Sequence, residues 1–176
     1  MIKDLSTKRL LLRKMQVSDS ERLFQIWSNP EVTKFMNIDR LTDKNQAEEM
    51  ILLLDKLSKE NTAHRYSIIE LESNDIIGSC GFNILDFENA KTEIGYEISK
   101  DHWGKGYAPE AINGLIQFAF NDLKLNRIEA KVEPENANSI KVLKKLNFHF
   151  EGTMRKAEKS KGRFVDLNLF SLLAAD

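Results

Sequence analysis

Three strand-like runs in mid-chain, "RYSIIEL", "IIGSCGFNIL" and "TEIGYEIS" (Thr92–Ser99), are separated only by the turns "ESND" and "FENAK". Their β-branched and aromatic content and bounding turn residues are those of strands. A parallel crossover needs a dozen or more residues, so connections this short impose an antiparallel meander. Few other arrangements are open to the middle of the chain.

The flanks are helical and strand-like in turn. "KRLLLRKM" (Lys8–Met15) predicts a first strand. Ser18 or Asp19 offers an N-cap to "SERLFQIWS", where Leu23, Phe24 and Trp27 recur at helical spacing. "NPEV" (Asn29–Val32) ends that helix, because proline disfavours helical geometry in the residue before it. Thr42 opens a second amphipathic helix with Ala47, Met50, Ile51, Leu54 and Leu57 on one face, through a Thr-x-x-Asn start. After the meander, "PEAINGLIQFAFNDL" is a helix, "RIEAKV" (Arg127–Val132) a strand and "NSIKVLKKLNF" a shorter helix. "FHFEGTMRKAEK" and "RFVDLNLFSLL" close the chain as a hairpin joined at "SKG". The order β-α-α-β-β-β-α-β-α-β-β has in its middle a strand–helix–strand passage, the place for a parallel pair. The expectation is an α/β chain of α+β type, a mixed and mostly antiparallel sheet with helices on both faces. No repeat or linker interrupts residues 1–176, and that length suits one core, so a single domain is expected.

Composition narrows the function classes. With 26 basic and 27 acidic residues the net charge is −1, which gives no general attraction to nucleic acid or an anionic membrane. A single cysteine, Cys80, allows no internal disulfide and fits a reducing compartment, where it reads as a small core residue. Three scattered histidines and one cysteine show no metal-ligand spacing, so no metal is expected. The first residues lack the apolar stretch of a signal peptide, and no segment nears the ~20 apolar residues that span a bilayer. A cytoplasmic protein is expected.

The stretch "HWGKGYAPEA" (His102–Ala111) runs from the meander into a helix. Glycine lets backbone approach a ligand closely. The first N–H groups of a helix lack intrahelical partners and favour anions, and Lys105 adds a positive charge. Two glycines alone leave a plain turn and a phosphate site as alternatives. A dinucleotide fingerprint fits poorly: Pro109 stands where the third glycine belongs and, although Glu129 lies near the expected acidic position, no array of βαβ units surrounds the motif.

The surroundings of this turn are similar to the GNAT acyl-CoA N-acetyltransferase family. Its phosphate-binding pattern, Gln/Arg-x-x-Gly-x-Gly/Ala, falls here on Trp103-Gly104-Lys105-Gly106-Tyr107-Ala108, with Trp103 at the first position in place of Gln or Arg, a departure from the general motif. "WGKGYAPEA" resembles the branch that includes ribosomal-protein N-terminal acetyltransferases. "KRLLLR", "NPEV", "EIGYEIS", "NANSIKVLKKLNF" and "FEGTMRKAE…GRFVDLNLFSLL" extend the likeness over nearly the whole chain. The resemblance implies a sheet splayed between its fourth and fifth strands, here "EIGYEIS" and "RIEAKV", with pantetheine in the gap. It implies that backbone groups of Tyr96, Glu97 and Ile98 bind the pantetheine amides and that the amides of Lys105 to Ala108 take the pyrophosphate. Asn138 would hydrogen-bond the pantetheine arm, although "PENANS" by itself reads as a turn and a helix N-cap.

The chemistry implied is attack of a neutral amine on the acetyl-CoA thioester, with a base removing a proton. Glu93 is the preferred base, with Glu97 and Glu158 in reserve; a solvated strand-end charge is the plainer reading of Glu93. Leu143 stands where many members carry a tyrosine as general acid, so that tyrosine mechanism is excluded here. Ser139 looks like the serine this branch offers near the sulfur, its plainer reading being a helix cap. The implied partners are acetyl-CoA and an amine acceptor. That acceptor is a protein N-terminus or, alternatively, a polyamine, amino sugar, antibiotic or amino-acid conjugate. A non-catalytic acyl-CoA-binding module is the rival of another class. Trp27 and Phe35, from the first helices, would flank the acceptor pocket. Phe148, Phe150 and the apolar series of the last strand are read as core or as the contact of a homodimer.

Overall fold

An eight-stranded sheet in the order β1-β2-β3-β4-β5-β6-β8-β7 organises the computed structural model, which describes residues 2–176. The strands are β1 (Leu5–Ser6), β2 (Leu10–Lys14), β3 (His64–Glu70), β4 (Asp75–Asp86), β5 (Lys91–Ile98), β6 (Arg127–Val132), β7 (His149–Ser160) and β8 (Arg163–Leu173). The meander β3–β4–β5 is antiparallel, as the short turns require. Among the described residues only β5 and β6 run parallel, linked through α4 (Tyr107–Gln117).

That pair supplies the feature on which the site depends. β5 and β6 are in register at three positions only, Lys91↔Arg127, Thr92↔Ile128 and Glu93↔Glu129. Beyond them the two strands diverge, so Ile94–Ile98 keeps its β4 partners and loses its β6 neighbours. If the two-residue β1 is left out, this is the split between fourth and fifth strands that the resemblance implied.

Alternation along the strands sorts side chains onto two faces. On one, Leu10, Leu12, Tyr66, Ile68, Cys80, Phe82, Ile94 and Ile128 pack with Ala111, Ile112 and Leu115 of α4 and Leu143 of α5 (Ala137–Lys145). On the other, α1 (Ser20–Trp27), α2 (Pro30–Thr33) and α3 (Lys44–Lys59) build a separate cluster from Leu23, Ile26, Trp27, Val32, Ala47 and Ile51. Helices therefore cover both faces.

Several local expectations are corrected. Asp19 precedes α1 without capping it through its side chain. Its carboxylate accepts instead from Arg13 Nη2 at 2.8 Å, Ser67 Oγ at 2.7 Å and the Gln16 amide at 2.9 Å. "NPEV" does end α1, yet it also starts a helix of its own: Pro30 occupies the first position, where its missing N–H costs nothing, and Asn29 caps it. The second long helix is capped one residue later than expected, by Asp43 with Gln46 reciprocating. In the last turn beyond α4, Phe118–Asp122 widens to π geometry. The closing hairpin turns on two residues, Lys161 and Gly162, both at positive φ, as a tight turn between twisted strands demands.

His64 ties folding to pH. It is 4% exposed, and burial chiefly pushes its pKa from 6.5 down to about 4. Its Nε2 has no partner, and its Nδ1 lies 2.6 Å from Ser58 Oγ. Between pH 4 and 6.5 the unfolded chain binds a proton that the folded ring refuses. This contribution is thus complete above about pH 6.5 and is lost as pH falls through 4. The shift corresponds to at most about 3 kcal/mol, before any solvent screening. Denaturation of His64→Gln against the parent across that window should show the parent losing more stability towards pH 4. Parallel curves would remove His64 as the cause.

Candidate acyl-transfer site

The divergence of β5 from β6 opens two cavities that meet. One, of about 770 Å³, lies between the end of β5, the glycine turn and α5. The other, of about 480 Å³, lies between β5, β6, the β7–β8 hairpin and the segment after α2. Phe35, Met36, Tyr96, Glu97, Asn136 and Ser139 line both and so mark the junction.

The glycine turn leaves helix N-terminal amides open. Gly104 and Gly106 sit at φ +74° and +78°, where a side chain is disfavoured, and a Cβ on Gly104 would face open space. Gly106 is the N-cap of α4 and no side chain caps that helix, leaving the Tyr107 and Ala108 amides for a ligand. Pro109 follows in the first turn, where no N–H is needed. Lys34, Lys141 and Lys145 stand around the larger cavity; its two carboxylates, Glu31 and Glu97, are paired with Lys100 and Arg65, so the remaining charge is positive and matches phosphates.

Distant residues brace this turn. Arg9 donates from Nη1 to the Lys105 carbonyl at 2.9 Å and from Nε to Glu110 Oε1 at 2.7 Å, with its guanidinium 4.3 Å from the Tyr107 ring centroid. The Tyr107 hydroxyl donates to Glu70. Burial would raise the Glu110 pKa, but hydrogen bonds from Thr7 and Arg9 hold it below the usual carboxylate value. Trp103 Nε1 donates to the Ile98 carbonyl at 2.7 Å, pinning the turn to the end of β5.

The smaller cavity is acidic, with Glu93, Glu97, Glu133 and Glu158 against Arg65 and Lys131. Glu93 pairs with Lys131 Nζ at 2.9 Å, and that carboxylate chiefly raises the lysine pKa. Glu158 accepts from Asn37 Nδ2. Glu97 is 5% exposed and accepts from Trp27 Nε1 at 2.6 Å, from Ser79 Oγ and from Arg65 Nη2. Its carboxylate is fully engaged in a buried pair, so its place as a reserve base falls away.

The sequence-derived residues mostly converge here. Glu93 faces the acidic cavity; Tyr96, Glu97 and Ser139 face the junction; Ile98, Trp103, Gly104, Gly106, Tyr107, Ala108 and Asn138 line the basic one. The Lys105 side chain does not line it, and its carbonyl is held by Arg9. The α5 cap is Asn136, which accepts from the Ser139 amide at 3.3 Å. Neither Asn138 nor Ser139 therefore serves as the cap. Phe35 borders both cavities, whereas Trp27 is 1% exposed and reaches the site only through Glu97. Sequence reasoning missed Arg9, Arg65 and Lys131, whose partners lie far along the chain and leave no local signal.

Among the described residues no three His, Cys, Asp or Glu side chains form a group able to hold a metal ion, and no helix is long and apolar enough to cross a membrane. The Acetyltransferase (GNAT) domain family matches residues 9–149. An uncharacterized N-acetyltransferase, p20 of Bacillus licheniformis, is 54% identical over 169 residues, covering 96% of this chain and 95% of that one. Among solved structures, RimL, a ribosomal L7/L12 alpha-N-protein acetyltransferase in complex with coenzyme A, superposes with a TM-score of 0.89 at 21% identity, covering 98% of this chain and 99% of that one. The Microcin C7 self-immunity acetyltransferase in complex with acetyl-CoA and AMP superposes with a TM-score of 0.86 at 24% identity, covering 95% and 93%. The chain belongs to the GNAT family of acetyltransferases.

Proposed function

We propose that the protein transfers an acetyl group from acetyl-CoA to a primary amine, with a protein N-terminus as the leading acceptor. The observation that carries this reading is the pair of cavities of opposite charge meeting at Tyr96 and Ser139. The basic one suits the phosphates of coenzyme A; the acidic one suits an amine that arrives as a cation. The fit extends to detail: free amides at the α4 N-terminus answer the pyrophosphate, and the unpaired β5 edge at Ile94–Ile98 answers the pantetheine amides. Asn138 lies along the same cavity, ready for the pantetheine arm.

Glu93 takes a proton from the amine, freeing the lone pair that attacks the thioester carbonyl. The C–N bond forms, the C–S bond breaks, and the sulfur leaves with the electron pair beside Ser139. Leu143 is 1% exposed and has no proton to give. Glu158 faces the same cavity and is the second reading for the base, favoured by its pairing with neutral Asn37 where Glu93 faces a lysine.

RimL, whose fold this chain shares, acts on a ribosomal protein; the other coenzyme-bound neighbour is a self-immunity enzyme. A small-molecule acceptor is accordingly the alternative. Cytoplasmic residence and a homodimer complete the proposal, the latter through the β7–β8 hairpin, which exposes Phe150 and Phe164.

Calorimetry with acetyl-CoA, followed by release of free coenzyme A across peptides, polyamines and aminoglycosides, tests the reading. Turnover on peptide N-termini is expected. Turnover on polyamines or aminoglycosides alone would select the small-molecule class, and binding with no turnover would leave a binding module. No saturable binding would overturn all three. Gly106→Val should weaken acetyl-CoA binding about tenfold or more, because a left-handed backbone costs an L-residue roughly 1–2 kcal/mol and the turn must shift to relieve it. Unchanged affinity would refute the pyrophosphate site.

A further inference from the structure

Tyr96 has a side chain that the proposed chemistry does not yet use. It lies on the opposite face of β5 from Glu93 and Glu97, packed against the main core, and its hydroxyl emerges at the start of α5. There it donates to Ser139 Oγ at 2.9 Å. Ser139 is 6% exposed and borders both cavities. Its amide is held by Asn136 Oδ1, so phenol and cap fix the serine at both ends.

We propose that Tyr96 is a positioning residue that aims the Ser139 hydroxyl at the leaving sulfur. The inference rests on the acetyl-transfer reading above. A serine hydroxyl rotates among staggered positions, each with one proton and two lone pairs. A phenol is the more acidic partner and therefore the better donor, so Ser139 accepts from it and keeps its own proton to give. Among the described residues no protein atom accepts that proton, which leaves it for the junction. Burial chiefly raises the Tyr96 pKa, so the phenol keeps its proton throughout turnover. Leu143, one turn further along α5, adds only a methyl-bearing wall to the acidic cavity.

The electron and proton balance is simple. The amine nitrogen forms the C–N bond, its proton goes to the carboxylate base, and the C–S bonding pair leaves on sulfur. Ser139 donates a hydrogen bond to the thiolate and transfers no proton; the thiolate is protonated later by solvent. Tyr96 acts by removing the wrong orientations of that donor beforehand, which is preorganisation.

A measurement that needs no acceptor tests this. The thiol pKa of coenzyme A bound to the protein is read by ultraviolet difference titration, against the protein alone, for the parent, Tyr96→Phe, Ser139→Ala and the double variant. Cys80 is silent in such a titration, because burial pushes its thiol up to about 12. One oriented hydrogen bond to the thiolate is worth about 0.5–1 pKa unit. Tyr96→Phe should therefore raise the bound thiol pKa by about that amount, Ser139→Ala by no less, and the double variant by no more than Ser139→Ala. With a peptide acceptor, Tyr96→Phe should lower kcat about fivefold and leave KM for acetyl-CoA unchanged. An unmoved thiol pKa in Tyr96→Phe, or additive shifts in the double variant, would overturn the role of Tyr96 while leaving acetyl transfer standing. Failure of the parent to bind coenzyme A would instead remove the acetyl-transfer reading itself.

Discussion

Replacing Arg65 by methionine while Glu97 remains should destabilise the protein by about 3–5 kcal/mol, the cost of leaving a buried charge without its partner. The Glu97 carboxylate is 4% exposed and the guanidinium 13%. Arg65 also donates from Nε to Ser79 Oγ at 3.0 Å and from Nη1 to Asn83 Oδ1 at 3.0 Å, so one side chain gathers β3, β4 and β5. The chain makes room for it: a Cβ at Gly95 would come within 2.5 Å of Asn83 Nδ2 and 3.2 Å of Arg65 Nη1. Urea denaturation of Arg65→Met, Glu97→Met and the double variant separates the terms. Each single change should cost more than the double, in which no charge is stranded. A double variant as unstable as the sum of the singles would show no coupling between the two side chains, and so no stranded-charge penalty in either single variant.

Glu93→Gln should lower turnover by roughly 10²–10⁴-fold, the usual contribution of a positioned base, with acetyl-CoA affinity unchanged. Glutamine keeps the shape and loses the lone pair that accepts the proton. Lys131 then faces a neutral amide, so the ammonium loses its main support, the Glu93 carboxylate. The acidic limb of the pH–rate profile should disappear with the base. Glu158→Gln is the matched comparison on the opposite wall of the same cavity. A large loss in Glu158→Gln with near-parental turnover in Glu93→Gln would move the base to the hairpin.

Much of the architecture was legible because it follows from chain connectivity. Turns as short as "ESND" permit only antiparallel neighbours, and the mid-chain strand–helix–strand passage located the β5–β6 parallel pair. The second such passage, from β6 through α5 to β7, gives no pair because β8 lies between the two strands. The glycine turn was legible for the same kind of reason: freedom to take positive φ is a property of glycine itself, and Gly104 and Gly106 both use it. Caps were legible in kind and misplaced by one or two residues. Ser, Thr, Asn and Asp are near-equal candidates, and tertiary contacts choose among them. Asp19 shows the choice: Arg13 and Ser67 bid for its carboxylate more strongly than a helix N-terminus does.

The sequence by itself determined the order of the main elements and the glycine turn, because both are set by local spacing and by what glycine and proline allow; the place of the split was implied only by the family resemblance. Tertiary structure decided the surroundings of each candidate carboxylate. Glu93, Glu97 and Glu158 look equivalent along the chain, yet folding sets Glu97 among Trp27, Ser79 and Arg65, Glu93 against Lys131, and Glu158 against Asn37. The reactivity of a charged side chain depends on the charges and dipoles brought within a few ångströms of it. Those neighbours come from strands and helices tens of residues away.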